Sequence, residues 1–272
     1  IDLEKFLDPE EGERKVQIED QESGQFDSTP LTARQRPQST IEPRIVDRVV
    51  VFWHFRTRWP VQCYNFNVIG DVRAAIEAGQ RAFGENYLQE ALDKQQALSD
   101  LTDIEWHFIG PIQSNKTRAI AEHFAWVHTV EREKIARRLS EQRPGELGAL
   151  DVCLQVNISG EASKAGVAPQ ELLALAETGI ALPGLRLRGL MAIPAPCAAG
   201  ASETERRAPF RQLRELLERL QTRFPAASYP QARLDTLSMG MSADLEAAVA
   251  EGATLLRLGT AIFGARDYSH VH

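Results

Sequence analysis

The sequence predicts an α/β fold, a single closed (β/α)8 barrel of the TIM type. Three observations carry that expectation. From Asp71 onward, short apolar segments alternate strictly with amphipathic helical segments at intervals of about 25 residues, which implies parallel strands joined by right-handed crossovers. Seven strands fall in that region, and an apolar run upstream supplies the eighth that a barrel of this size needs. No G-x-G-x-x-G follows the first strand, so a doubly wound open sheet is the weaker alternative.

Taken in order, residues 1 to about 40 are polar, acidic at first and poor in periodic apolar positions, and read as a tail or linker. The barrel is expected over 46–272, with 46–70 poorly patterned. Arg48 to Phe55 (RVVVFWHF) is β-branched and aromatic, a plausible buried strand, while the stretch after it has no clear period. Asp71 is placed as the cap of a helix closed by Gly79. A short strand RAFG leads to Glu85-Asn86 and a helix from Tyr87 to about Leu98. The strand EWHFIG (Glu105 to Gly110) precedes a helix from Lys116 to Phe124, for which Ser114 or Asn115 is the expected cap. Next come the strand AWVHTV, a helix from Glu131 to Arg143 and the buried strand Asp151 to Asn157. A polar loop then leads to a helix from Pro169 to Gly179 and the strand Leu185 to Ile193. A long amphipathic helix ends near Phe224, and the last two strands follow.

Composition bounds the function. Of the 272 residues, 43% are hydrophobic and 25% charged, ordinary values for a soluble globular chain. A net charge of −7 argues against a general nucleic-acid binder, which carries a basic face. There is no membrane-length apolar run and no secretory leader pattern, so a cytoplasmic protein is expected. Cys63, Cys153 and Cys197 form no C-x-x-C pair and suggest neither a metal site nor a disulfide framework.

The chemistry collects where strands end. Thr236, Leu237 and Ser238 finish an extended run, and Met239-Gly240-Met241 turns the chain. Ser242 is then the expected N-cap of a helix from Ala243 to Glu251. Thr254 to Leu258 is a strand running into Gly259-Thr260. Two consecutive strands thus finish in turns rich in backbone N–H groups, one at a helix N-terminus, which together make a seat for a phosphate dianion. The same residues also fit a plainer reading: a cap, a C-terminal glycine and a rim arginine. Arg257, charged in an otherwise apolar strand, needs a buried partner or an exit to solvent. Asn86, Gln113 to Lys116, Asn157, Ser159 and Lys164 fall at the same C-terminal rim, where barrel active sites lie. Asn86 also suits a helix cap. His107 reads as a packed core histidine, and His123 and His128 as too isolated to bind a metal.

Six segments resemble the pyridoxal-phosphate homeostasis proteins: Phe83–Lys94, Trp106–Lys116, Val156–Gly166, Leu187–Pro196, LSMGMSADLEAAVAEG and Leu256–Tyr268. The resemblance runs from about Asp71 to Tyr268, nearly three-quarters of the chain. It implies a single barrel like the N-terminal domain of alanine racemase, pyridoxal 5′-phosphate (PLP) as cofactor, and a role in vitamin B6 homeostasis without established turnover. It also implies PLP-dependent apoenzymes as possible partners. Carried over by residue, it puts the phosphate on Ser242 and on the backbone of Gly259 and Thr260. Arg257 then faces the pyridine nitrogen, Asn86 lines the pocket and Ser238 assists through its hydroxyl.

One position departs from the pattern. The family's PLP-binding lysine stands at the end of the first strand, about fourteen residues before the glycine matching Gly79, a register that falls at Asn65-Phe66-Asn67. No lysine lies between Lys15 and Lys94, and an asparagine amide cannot bond covalently to the aldehyde. A diverged segment with non-covalent binding, a shifted reading frame over the N-terminal region, and a substitute amine at Lys164 or Lys116 all remain open. Two other functions are weighed beside the homeostasis role. An amino-acid racemase needs a second base, which in alanine racemases comes from a domain after the barrel, so racemase activity is not expected of a chain read as a single barrel, and a non-binding remnant is expected if residues 46 to 70 fail to close the barrel.

Overall fold

Eight parallel strands close into a barrel in sequence order in the computed structural model, which describes residues 48–52, 67–161 and 164–259. The elements are β1 (Arg48–Phe52), α1 (Asn67–Glu77), β2 (Ala82–Glu85), α2 (Leu88–Ala97), β3 (Glu105–Phe108), α3 (Thr117–His123), β4 (Trp126–Val130) and α4 (Glu133–Gln142). A single 3-10 turn (Gly145–Leu147) leads to β5 (Leu150–Gln155), α5 (Leu172–Ala181), β6 (Leu185–Met191), α6 (Glu203–Arg223), β7 (Ala232–Ser238), α7 (Leu245–Ala250) and β8 (Leu255–Leu258).

The valines of β1 make it the closing stave. Val51 aligns with Phe83 of β2, while Val49 and Val50 align with Leu256 and Arg257 of β8. The ring is therefore complete, and the open sheet edge expected of a remnant does not arise. The expected tail, residues 1–45, lies outside the described residues, as do 53–66.

Alternation along each strand separates two environments. Outward side chains such as Val49, Val127, Val152, Leu154, Leu187 and Leu237 join helix residues, among them Ile120, Ile135, Leu139, Phe210 and Leu213, in one large apolar layer. Among the described residues, inward apolar groups form two small clusters, Val50 with Ala82 and Leu255, and Trp126 with Cys153 and Met191. Polar groups complete the interior. Near the N-terminal ends of the strands, Asp151 accepts hydrogen bonds from Arg186 and Arg188, and Arg188 also donates to Asp235 at 2.8 and 3.0 Å. The Arg188 guanidinium lies 4.5 Å from the centre of a Trp126 ring.

Several helix starts differ from the sequence expectation. Asp71 lies inside α1, which begins at Asn67, because the helical stretch extends upstream of the residue that resembled a cap. Tyr87 rather than Asn86 precedes α2, and Lys116 rather than Ser114 or Asn115 precedes α3, both without a side-chain cap. Ser242 does not cap α7. The chain turns over residues 242–244, Asp244 takes the N-cap position, and its Oδ1 accepts the Met241 N–H at 2.6 Å. The helix shortens to Leu245–Ala250, and Glu251 just beyond it is held from α6 by Arg207, Arg211 and Arg214. On α6 itself, Ser202 and Glu205 form a reciprocal capping box.

Candidate functional site

At the C-terminal ends of β7 and β8 the chain brings a buried cation to the barrel mouth. Arg257 is 2% exposed, and its two terminal nitrogens donate to the Ser238 hydroxyl at 2.7 Å and the Ala192 carbonyl at 2.9 Å. Both acceptors are neutral, and among the described residues no carboxylate forms an ion pair with it. Burial lowers its pKa to about 10, opposed by the charge of Asp244, so the group remains a cation at neutral pH.

The two turns beside it are tied together. The Arg257 backbone N–H donates to the Gly240 carbonyl at 3.0 Å, and Met239 N–H to the Leu255 carbonyl at 3.2 Å. Gly240 has φ 91°, and a Cβ there would lie 2.6 Å from the Ala248 methyl, so the turn after β7 requires glycine. Gly259 is buried directly after β8. One backbone donor expected to be free for an anion, that of Met241, is committed to Asp244. Ser242 is exposed in the 242–244 turn, and Asn86 is half-buried after β2 at the same end of the barrel. The approach there is close: a Cβ on Gly110 would meet the Asn86 carbonyl oxygen at 1.9 Å. Next to Asn86, Glu85 pairs with Lys94 of α2 at 2.6 Å, out of solvent.

Of the residues singled out by sequence, Arg257 and Ser238 are brought into contact, with Gly259 following on the same strand. Thr260 and Asn65 lie outside the described residues. The register counted back from Gly79 also fails to match the strand: β1 ends at Phe52, whereas Asn67 opens α1. Counting and topology thus disagree by about a dozen positions, and neither route reaches a lysine. Asn157 binds within its own loop, accepting from Gly160 N–H and donating to Glu161 O, while Ser159 accepts the Ala195 N–H. Lys116 and Lys164 are exposed.

The sequence reading missed what stands behind Arg257. His128 is not isolated: its Nδ1 lies 2.8 Å from the Ser238 Oγ and its Nε2 lies 2.9 Å from His107 Nδ1. His107 Nε2 in turn lies 2.9 Å from Glu105 Oε1. The available signal was positional. Glu105 and His107 are two apart on β3, and Trp126 and His128 two apart on β4, so each pair shares the inner face. No group of metal-binding side chains occurs among the described residues.

The alanine racemase N-terminal domain model matches residues 61–267. The pyridoxal phosphate homeostasis protein of Pseudomonas aeruginosa is 64% identical over 197 residues, covering 72% of this chain and 80% of that protein. The protein of the same name from Escherichia coli K12 is 54% identical over 200 residues, covering 73% and 81%. This chain belongs to the pyridoxal phosphate homeostasis protein family. PipY of Synechococcus elongatus, solved with PLP bound, aligns with this homeostasis-family chain at a TM-score of 0.65 and 39% identity, over 83% of this chain and 95% of its own. Alanine racemase of Corynebacterium glutamicum, at 16% identity and a TM-score of 0.54 over 84% of this chain and 58% of its own, shares the family's barrel fold. The barrel and the family expected from sequence both hold.

Proposed function

We propose that this chain binds pyridoxal 5′-phosphate inside the cell and serves PLP homeostasis by holding the cofactor or delivering it to PLP-dependent apoenzymes. The observation that carries the reading is Arg257, a guanidinium buried at the mouth whose hydrogen-bond acceptors among the described residues, the Ser238 hydroxyl and the Ala192 carbonyl, are both neutral. A buried cation of this kind is matched by an electron-rich acceptor entering from the mouth. The residues fit the cofactor. Arg257 would meet the pyridine nitrogen, while Ser242 and the backbone of Gly259 and Thr260 would hold the phosphate beside the tied turns. Asn86 would line the pocket.

Bound PLP supplies an aldehyde and an electron-withdrawing ring. Facing the ring nitrogen with a permanent cation disfavours protonation there and weakens the ring as an electron sink, which suits holding the cofactor. Gly240 lets the turn after β7 pack against Ala248 and Leu256, and Gly110 after β3 lets that loop approach the Asn86 backbone.

The test is retention of PLP. Purified full-length chain is incubated with PLP, desalted, reduced with borohydride and mapped by peptide mass. Stoichiometric PLP absorbance after desalting is expected. A chain that emerges free of PLP overturns the reading. Label on either lysine identifies a substitute amine.

A further inference from the structure

Asp244 places a carboxylate at the turn proposed to hold the phosphate. It closes that turn from both sides: its Oδ1 accepts the Met241 N–H at 2.6 Å, and its own N–H donates to the Met241 carbonyl at 3.1 Å. Ser242 lies inside the closed turn, and the Asp244 carbonyl accepts the Ala248 N–H at 3.1 Å as α7 begins. The Arg257 N–H donates to the Gly240 carbonyl at 3.0 Å, so the turn and the end of β8 are held as one piece.

A closure of this kind needs no charge, since neutral asparagine and serine serve at an N-cap as well as aspartate does. The charge of Asp244 acts elsewhere. It reaches Arg257, whose cation it favours against burial. It also stands two residues from Ser242 and takes up a backbone N–H of the kind that anions seek. A phosphate held by Ser242 and the end of β8 therefore meets a fixed carboxylate together with the arginine, and like charges at close range weaken binding. An uncharged part of the ligand, such as the aldehyde, does not feel that repulsion.

We propose that Asp244 sets how readily the phosphorylated cofactor leaves: its hydrogen bond holds the Ser242 turn in shape, while its charge opposes the phosphate dianion and keeps binding reversible. Asp244 is thus a residue that lowers affinity for the phosphorylated ligand, a property that suits delivery rather than permanent retention. The inference rests on the PLP reading above.

Full-length Asp244→Asn and Asp244→Ser are compared with wild type by titration of PLP absorbance and by the rate at which bound PLP is lost on dilution. The titration is repeated with pyridoxal, which lacks the phosphate. Both variants keep a cap and drop the charge. PLP affinity is expected to rise about three- to tenfold in each, mainly as slower release, while pyridoxal gains nothing. A melting curve identifies a variant that does not fold, and the other then carries the comparison. Unchanged or weaker PLP binding, or unchanged release, in the folded variants overturns the proposal. An equal gain for pyridoxal overturns it too, because a change in the shape of the turn moves both ligands alike. The two readings fail separately. Wild-type chain without retained PLP overturns the cofactor site and with it the role of Asp244. Wild type that retains PLP at the same affinity as both variants overturns the role of Asp244 alone.

Discussion

Arg257 concentrates the chemistry of the site in one side chain, because its charge is buried and its protein acceptors are an alcohol and an amide. A hydrogen bond from a charged donor contributes about 1.5–3 kcal/mol, so Arg257→Gln is expected to weaken PLP binding about 10- to 100-fold. Removing a buried charge that lacks a carboxylate partner also removes its desolvation cost, so the thermal midpoint should move by less than about 5 °C. Titration of PLP absorbance and a melting curve on the same variant check both halves. At this scale the sequence was informative wherever one residue broke a pattern. Arg257 stood out as one charge in the strand TLLRL. His128 did not, because its partner Ser238 lies 110 positions away and no local spacing encodes that meeting.

Strands and helices were legible from periodicity, and their ends less so, because several polar residues compete for each cap. Ser242 and Asp244 both suit an N-cap, and the choice fell to Asp244, two residues later. The buried pair joining β2 to α2 escaped notice because Glu85 and Lys94 read as parts of two different elements. Burial pushes the Glu85 carboxyl up to about 7 despite the opposing charge of Lys94. The unfolded carboxyl titrates near 4.5, so between those values the folded protein keeps a proton that the unfolded chain has released. Stability from the protonated form is complete below the unfolded value and is lost as pH rises through about 7. Urea denaturation at pH 5 and pH 8 is expected to differ by about 1–3 kcal/mol from this group. Glu85→Gln, which mimics the protonated carboxyl, should lie close to wild type at pH 5 and should lack that difference.

For the whole molecule, eight repeating units made the barrel readable, and six matching segments made the family readable. The interior chemistry was hidden by the same regularity, since a barrel of this kind is expected to fill with branched apolar layers. Here Asp151, at the start of the apolar-looking strand β5, binds two arginines of β6. Asp151→Ala leaves Arg188 with Asp235 alone and Arg186 without its carboxylate, and is expected to cost about 2–4 kcal/mol, read as a lower urea midpoint with an unchanged slope. Strand β1 was the least certain element in the sequence, yet its pairing with β2 and β8 is what completes the ring. The bond between His128 and Ser238 has a kinetic meaning of its own. It joins groups 110 residues apart on staves that are not neighbours, so it forms only after the intervening units have assembled. During refolding, local helices and adjacent strands come first, and the histidine ring becomes a timekeeper for the moment the barrel shuts.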